Sequence, residues 1–382
     1  MKKSKLHLKQ TQNIYTRSNA YKKLLYRQTH QLPLRLAFVD IDSTMVGDIP
    51  DQHNARKLIE QKGYVLCFIT SRTVELVMSW KNRKKSSPTV KNRPKAKLKK
   101  NNQNKLIIVD PLKLPIMSDL IDPLIIAATT GVELLVQQKN GGYQYDTIWQ
   151  QQLKRFGTET AWRNYCFKLI QTFNKIFPNS ATSCLPVENI KNYTCGKTSI
   201  APPSYRIQIQ FTSWKTKELF KKWLLKQTIF KCKPDWIEES NITQNNYSLY
   251  LIPTNINKQT AADQVIHQLA IALNISKTTF ELLFIGDSMS DINMGFYAGQ
   301  RAKTTFLLVG GSHLTTHLFS NTLPVPTYKA LKKISRLLQP AQKKGWYTFQ
   351  QRRQQRTVIV GDIAFPNKIG PQSILALLKN ID

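Results

Sequence analysis

Leu34-Arg-Leu-Ala-Phe-Val-Asp40-Ile-Asp42-Ser-Thr44 is the stretch on which the fold of this chain turns. A short apolar run follows Pro33 and ends in a cluster of Asp, Ser and Thr, the pattern of a buried strand stopping at a polar turn. Open α/β folds bind ligands at the C-terminal ends of their parallel strands. On a straight strand, carboxylates at i and i+2 would share one face. Because this strand is ending, Asp40 and Asp42 can both turn toward the cleft at its edge. Unpaired buried charge is costly, so two carboxylates beside such a run call for a metal or ligand. The alternative is an Asp/Ser/Thr turn that merely closes a strand.

Outward from this stretch the pattern alternates. Residues 50–61 suit a helix, Gly63 a turn, and residues 64–69 a second buried strand, followed by a helical run ending near Trp80. Strand, helix, strand, helix in this order predicts an α/β parallel sheet. Residues 81–105, rich in charge, Asn and Pro, suit an exposed insertion. Residues 106–109 and 124–128 resemble further strands, and Thr129-Thr-Gly131 turns into a hairpin arm at 132–136.

Between about 140 and 255 the period changes. Helices around 158–175 and 214–227 mix with strand-like segments at 205–211 and 247–252. Alternation in the first of these segments predicts a half-covered sheet, hence a smaller inserted α+β module. The core resumes with a helix at 260–273, strands at 282–285 and 305–309, a helix after Asp291 and a last unit at 358–378.

A second acidic constellation, Leu283-Phe-Ile-Gly286-Asp287-Ser-Met-Ser-Asp291, repeats the theme of apolar strand, Gly turn and paired Asp. Asp287 can join Asp40 in holding Mg²⁺, and Asp291 can bind the ion or orient its waters. An Asx turn with a helix N-cap is the structural alternative. Asp40 then reads as a nucleophile toward phosphorus, and Asp42 as the group that protonates the leaving oxygen and activates water. In Phe68-Ile-Thr70-Ser71-Arg72 the Thr70 hydroxyl suits phosphate oxygens, with Ser71 as the weaker substitute. Arg72, like Thr44, either reaches substrate or stabilises the loop. Lys258 precedes the helix leading to the second acidic loop, where an ammonium can offset the charge of a transferring phosphoryl group.

These four segments, in this order, resemble the haloacid dehalogenase (HAD) superfamily of phosphohydrolases over roughly residues 34–378. Within it the chain looks most like the type IIB group, which includes sucrose-phosphate phosphatases and Cof-like sugar phosphatases. That likeness rests on Phe68-Ile-Thr-Ser-Arg72, on Ala128-Thr-Thr-Gly-Val-Glu133 with the later Trp149, and on Leu251-Ile-Pro-Thr-Asn-Ile-Asn-Lys258. The resemblance implies a HAD-like Rossmannoid parallel sheet with an inserted α+β type C2 cap. It also implies Asp40 as nucleophile, Asp42 as general acid/base, and Thr70 and Lys258 as phosphate-binding groups. Mg²⁺ would be held by Asp40, Asp42 (through its backbone carbonyl), Asp287 and Asp291, with a small sugar phosphate as substrate. Ser290 stands where many relatives have Asn, and Gln259 where Gly is common. The expected division is a basic N-terminal extension (1–33), a core in two parts (34–140 with the 81–105 insertion, and 256–382), and a cap (141–255).

The formal charge of +33 is unevenly placed, since residues 1–39, 76–109 and 292–361 lack Asp and Glu. Such a surface attracts polyanions with little sequence preference, or simply solubilises the chain. It keeps open a nucleic-acid end phosphatase and a non-catalytic basic RNA-binding or scaffold protein, beside a phosphohexomutase using the same acidic core. Five scattered cysteines exclude a disulfide framework and offer no zinc pair, and Cys67 reads as a small core residue. No apolar run is long enough for a membrane span, and the basic N-terminus lacks a secretory apolar region, which favours the cytoplasm.

Overall fold

The computed structural model describes residues 14–45, 47–72, 123–140, 142–183, 205–227, 248–310 and 338–381, the short stretches 194–195, 198–199 and 234–237, and positions 74, 77, 334 and 336. The 81–105 insertion and the strand expected at 106–109 lie outside the described residues.

Helix α1 (Asn19–Thr29) starts at Ser18, whose hydroxyl accepts from the Tyr21 amide, and it buries Ala20, Tyr21 and Leu24. Of the two expectations for the N-terminal segment, tail or surface helix, residues 14–33 give the helix, with one face packed on the sheet, and residues 1–13 lie outside the described residues. Strand β1 (Leu34–Val39), helix α2 (Ile49–Gln61) and strand β2 (Tyr64–Ile69) follow as expected. Then come β3 (Ile125–Ala128), β4 (Glu133–Gln137) and β5 (Tyr143–Tyr145), the last two antiparallel to their neighbours.

The next segment contains α3 (Thr147–Leu153), α4 (Glu159–Ile176), β6 (Ala181–Ser183), β7 (Thr194–Cys195), β8 (Thr198–Ser199), β9 (Ile207–Phe211), α5 (Trp214–Lys226), β10 (Pro234–Ile237) and β11 (Ser248–Pro253). Four of its strands form a separate antiparallel sheet in the order β10-β11-β9-β6. In β9 the apolar Ile207, Ile209 and Phe211 are buried while the intervening residues are half-buried, the alternation of a sheet covered on one side. Phe173 of α4 and Phe220 of α5 meet edge to face at 5.0 Å, and Phe211 lies 5.2 Å from Phe220.

Helix α6 (Lys258–Ala272), strand β12 (Phe280–Gly286), helix α7 (Met289–Tyr297), strands β13 (Lys303–Leu308), β14 (Trp346–Gln351) and β15 (Gln354–Val360), and helix α8 (Pro371–Asn380) complete the chain. Among the described residues the main sheet has nine strands, in the order β14-β15-β13-β12-β1-β2-β3-β4-β5. Its centre, from β15 to β3, is parallel; the pairings β14 with β15 and β3 with β4 are antiparallel. This is the expected Rossmannoid core with an inserted α+β cap. Strand β14 was not expected. It pairs through a hairpin whose two turn residues, Arg352 and Arg353, both have positive φ, and no Gly or Asn marks that turn in the sequence.

Two-sided burial explains why the central strands read as continuous apolar runs rather than alternating ones. Leu36, Phe38, Leu282 and Phe284 pack with Leu24, Ile266, Leu269 and Met294 on one face. Ala37, Val39, Leu283 and Ile285 pack with Ala55, Ile59, Ile374 and Leu377 on the other. Cys67 is a fully buried free thiol within the first cluster, as its apolar setting predicts. Among the described residues no helix is long and apolar enough to cross a membrane.

Candidate active site

β1 and β12 are adjacent and parallel, so their C-terminal ends bring Asp40 and Asp287 to one edge of the sheet. The Asp40 amide continues the ladder by donating to the Ile285 carbonyl at 2.9 Å. Beyond β12, Asp291 occupies the first turn of α7. Its Oδ2 accepts from the Ser288 amide at 3.1 Å and from the Ser288 hydroxyl at 2.5 Å, a capping box. The structural alternative for this loop therefore holds for one oxygen of Asp291, while the other faces Lys258. Gly286 is required by this packing: a Cβ there would lie 2.2 Å from Asp291 Cγ.

Lys258 opens α6 behind Asn257, which caps the helix reciprocally with Thr260. Its ammonium lies 2.9 Å from Asp40 Oδ1 and 2.8 Å from Asp291 Oδ1. Burial alone would lower the Lys258 pKa, but the carboxylates of Asp291 and Asp40 outweigh it and hold the amine above its ordinary value. Asp40 is pushed well above the carboxylate range by burial, against the pull of Lys258 and with a further push from Asp291, Asp287 and Asp42. Asp287 is pushed up to about 7, by burial first and by Asp291 next.

Oxygens of Asp40, Asp287 and Asp291 lie within 4.8 Å of one another. One ammonium among three carboxylates leaves the cluster with excess negative charge whenever all are ionised, which adds to burial in raising the pKa values of Asp40 and Asp287. A divalent cation would remove that excess, and a purely carboxylate donor set suits a hard ion such as Mg²⁺. The residues present therefore fit the ion. The Asp42 side chain is outside this group.

Asp42 is instead held by the end of β2. Arg72 closes on Asp42 Oδ1 with its Nε at 2.6 Å and a second, shorter contact from its terminal nitrogen, while the Ser71 hydroxyl stands 3.4 Å from Oδ2. Of the two roles open to Arg72, this geometry favours the loop-stabilising one. Thr70 is fully buried beside the acidic edge, and its hydroxyl accepts from the Arg72 amide at 3.2 Å. Thr44 is also fully buried, its hydroxyl unpartnered among the described residues.

Two further pieces lie against the site; the sequence marks the first only as a turn and a family likeness, and does not single out the second. Thr129, Thr130 and Gly131 all have positive φ and form a tight turn against the site. Their amides bind back to it, Thr129 to the Arg72 carbonyl at 2.6 Å and Thr130 to the Thr70 carbonyl at 2.8 Å. The buried Trp149 donates its indole N–H to the carbonyls of Gly131 and Val132. The second piece is Arg206, immediately before β9, which reaches the Ser71 carbonyl at 2.9 Å and Thr130 Oγ1 at 3.2 Å. One arginine among 56 Lys and Arg carries no sequence signal of that reach.

No protein-family model matches the sequence, and no curated protein is significantly similar to it. Among solved structures, the chain is similar to the sucrose-phosphatase from Synechocystis in complex with sucrose and phosphate, at 14% identity and a TM-score of 0.46, covering 91% of this chain and 97% of that one. It is also similar to a haloacid dehalogenase-like hydrolase from Bacteroides thetaiotaomicron, at 11% identity and a TM-score of 0.39, with 79% and 99% covered. A haloacid dehalogenase-like hydrolase from Bacillus subtilis gives 12% identity and a TM-score of 0.39, with 81% and 98% covered. These likenesses are distant.

Proposed function

We propose that the protein is a Mg²⁺-dependent phosphomonoester hydrolase of the HAD type, working through a phosphoryl group carried on Asp40. One observation carries this reading: Asp40 ends a central parallel strand 2.9 Å from a buried lysine and within 4.8 Å of two further carboxylates. A nucleophilic carboxylate needs a cation to approach a phosphate dianion, and this edge supplies one and has the donors for another.

Bound at Asp40, Asp287 and Asp291, Mg²⁺ would neutralise charge on the phosphate oxygens. The protein's own groups do the rest. Asp40 attacks phosphorus, and Asp42 gives its proton to the departing alcohol oxygen. Lys258 and the Thr70 hydroxyl offset the charge on the phosphoryl oxygens. Asp42, now a carboxylate, takes a proton from the water that releases phosphate and restores Asp40.

The core in two parts, 34–140 and 256–382, and the cap, 141–255, belong to the same proposal, the cap excluding bulk water and contacting the substrate's organic part. A small sugar phosphate is the proposed substrate, on the type IIB resemblance of the motifs at 68–72, 128–133 and 251–258. The test is phosphate release in Mg²⁺ across sugar phosphates, nucleotides and 5′-phosphorylated oligonucleotides, with Asp40→Asn as control. Release from sugar phosphates that Asp40→Asn abolishes supports the reading. No release from any substrate, or release that survives the substitution, sinks it; preference for oligonucleotides would reassign the substrate.

A further inference from the structure

We infer that Arg206 is a positioning residue that clasps the Thr70–Arg72 turn from the cap sheet and, through Arg72, holds Asp42 ready for proton transfer. This rests on the phosphatase reading above.

The contacts form a chain. Arg206 donates to the Ser71 carbonyl at 2.9 Å and to Thr130 Oγ1 at 3.2 Å, so it touches both turns that flank the acidic edge. Its guanidinium lies 4.4 Å from the centroid of the Tyr250 ring on the neighbouring strand β11, which supports it from the cap side. The turn at Thr129–Gly131 is bonded to the Thr70 and Arg72 carbonyls, as described above. Arg72, the next residue along from the clasped carbonyl, forks onto Asp42.

The backbone shows why a separate clasp is needed. Thr129 and Thr130 are non-glycine residues with φ of 53° and 63°, a conformation that persists only where surrounding contacts impose it. In that conformation Thr130 presents its hydroxyl oxygen to Arg206. A lysine at 206 would keep the charge but lose the flat guanidinium that lies over the Tyr250 ring and aims one terminal nitrogen at both the Ser71 carbonyl and Thr130 Oγ1. The position of Asp42 thus depends on where the cap strand sits, which couples the cap to the acid/base group without Arg206 touching the reacting atoms.

General acid catalysis distinguishes this from a purely structural role. An alkyl phosphate needs a proton on its leaving oxygen, whereas 4-nitrophenyl phosphate releases a stable phenolate and does not. The experiment compares kcat/KM for n-propyl phosphate and 4-nitrophenyl phosphate in the unaltered full chain, Arg206→Lys, Asp42→Asn and the double variant. It is joined by hydrogen exchange at the Thr129 and Thr130 amides. For Arg206→Lys the expected results are faster exchange at both amides and a loss on n-propyl phosphate exceeding that on 4-nitrophenyl phosphate by roughly tenfold or more. In the Asp42→Asn background the same substitution should cost little further, as for two residues acting in one chain.

Unchanged exchange overturns the clasp. Equal losses on the two substrates, or effects that add in the double variant, overturn the link to Asp42. Should the unaltered protein turn over neither compound nor any phosphate in the wider screen, the phosphatase reading fails and takes the catalytic half with it. The exchange comparison still decides the clasp in that event.

Discussion

Lys258 Nζ lies between two buried carboxylates, 2.9 Å from Asp40 Oδ1 and 2.8 Å from Asp291 Oδ1, and none of the three residues is more than 3% exposed. Removing the ammonium would leave like charges facing each other out of water. Lys258→Met is therefore expected to lower unfolding stability by about 3–5 kcal/mol, the usual cost of breaking a buried pair from one side. Urea denaturation in chelator at pH 8 measures it. Phosphate release should fall as well, and restoring Mg²⁺ should recover part of the stability but not the rate.

The acidic cluster also sets a pH dependence. Unfolded, Asp287 titrates near the ordinary value of about 4; folded, it is pushed up to about 7. Between these values the folded state holds the extra proton, so stability falls as pH rises through the window. Asp40, raised in the same direction, adds to the fall. In chelator, melting temperature should drop between about pH 5 and pH 8, and drop less in Asp287→Asn. Mg²⁺ binds the ionised form, so it should raise the melting temperature more at the upper pH than at the lower. A stability that rises over this interval, or is indifferent to Asp287→Asn, would contradict the arrangement.

Gly131 tests the turn that backs the site. Its φ is +89°, and a Cβ there would lie 2.6 Å from the carbonyl carbon and oxygen of Asn257 and 2.9 Å from the Lys258 amide nitrogen. Those are backbone atoms at the start of α6 and cannot swing aside. Gly131→Ala should destabilise by more than about 1 kcal/mol and displace Lys258, lowering kcat/KM. Gly310 is the control, with φ of +57° and nothing among the described residues within 4 Å of the added carbon. Gly310→Ala should show only the backbone strain, about 1–2 kcal/mol, and leave kcat/KM nearly unchanged.

The strands flanking the acidic edge were legible in the sequence because burial on both faces writes itself as unbroken apolar runs, residues 36–39 and 282–285 among them. The inserted sheet was legible through the alternation in Ile207–Phe211. Asp40, Thr70, Lys258, Asp287 and Asp291 could be nominated because each sits at a strand end or helix start, where short motifs carry geometry. Strand β14 was not legible: its exposed and half-buried residues alternate without a buried face, and its turn is Arg352-Arg353. Arg206 was invisible for another reason. Its partners, the Ser71 carbonyl and Thr130 Oγ1, are brought to it only by the packing of two sheets. The Arg72–Asp42 pairing was left open between substrate and loop because thirty residues separate the two side chains in sequence.

Asp42 is proposed to act twice, as acid toward the leaving alcohol and then as base toward water, and the two roles can be separated by choice of substrate. Its carboxylate lies outside the Asp40, Asp287 and Asp291 group, so Asp42→Asn should leave Mg²⁺ affinity nearly unchanged while Asp40→Asn weakens it; calorimetric titration reads the difference. With 4-nitrophenyl phosphate the first step needs no proton, and Asp42→Asn should still transfer the phosphoryl group to Asp40. The second step then lacks its base, so steady-state turnover should fall about 10²–10⁴-fold. The phosphorylated protein should accumulate, seen as a burst of 4-nitrophenolate approaching one per chain and as an added phosphate in the mass of acid-quenched protein. Asp40→Asn should give neither burst nor added mass. A burst in Asp40→Asn, or full turnover in Asp42→Asn, would mean that these two carboxylates do not divide the chemistry as proposed.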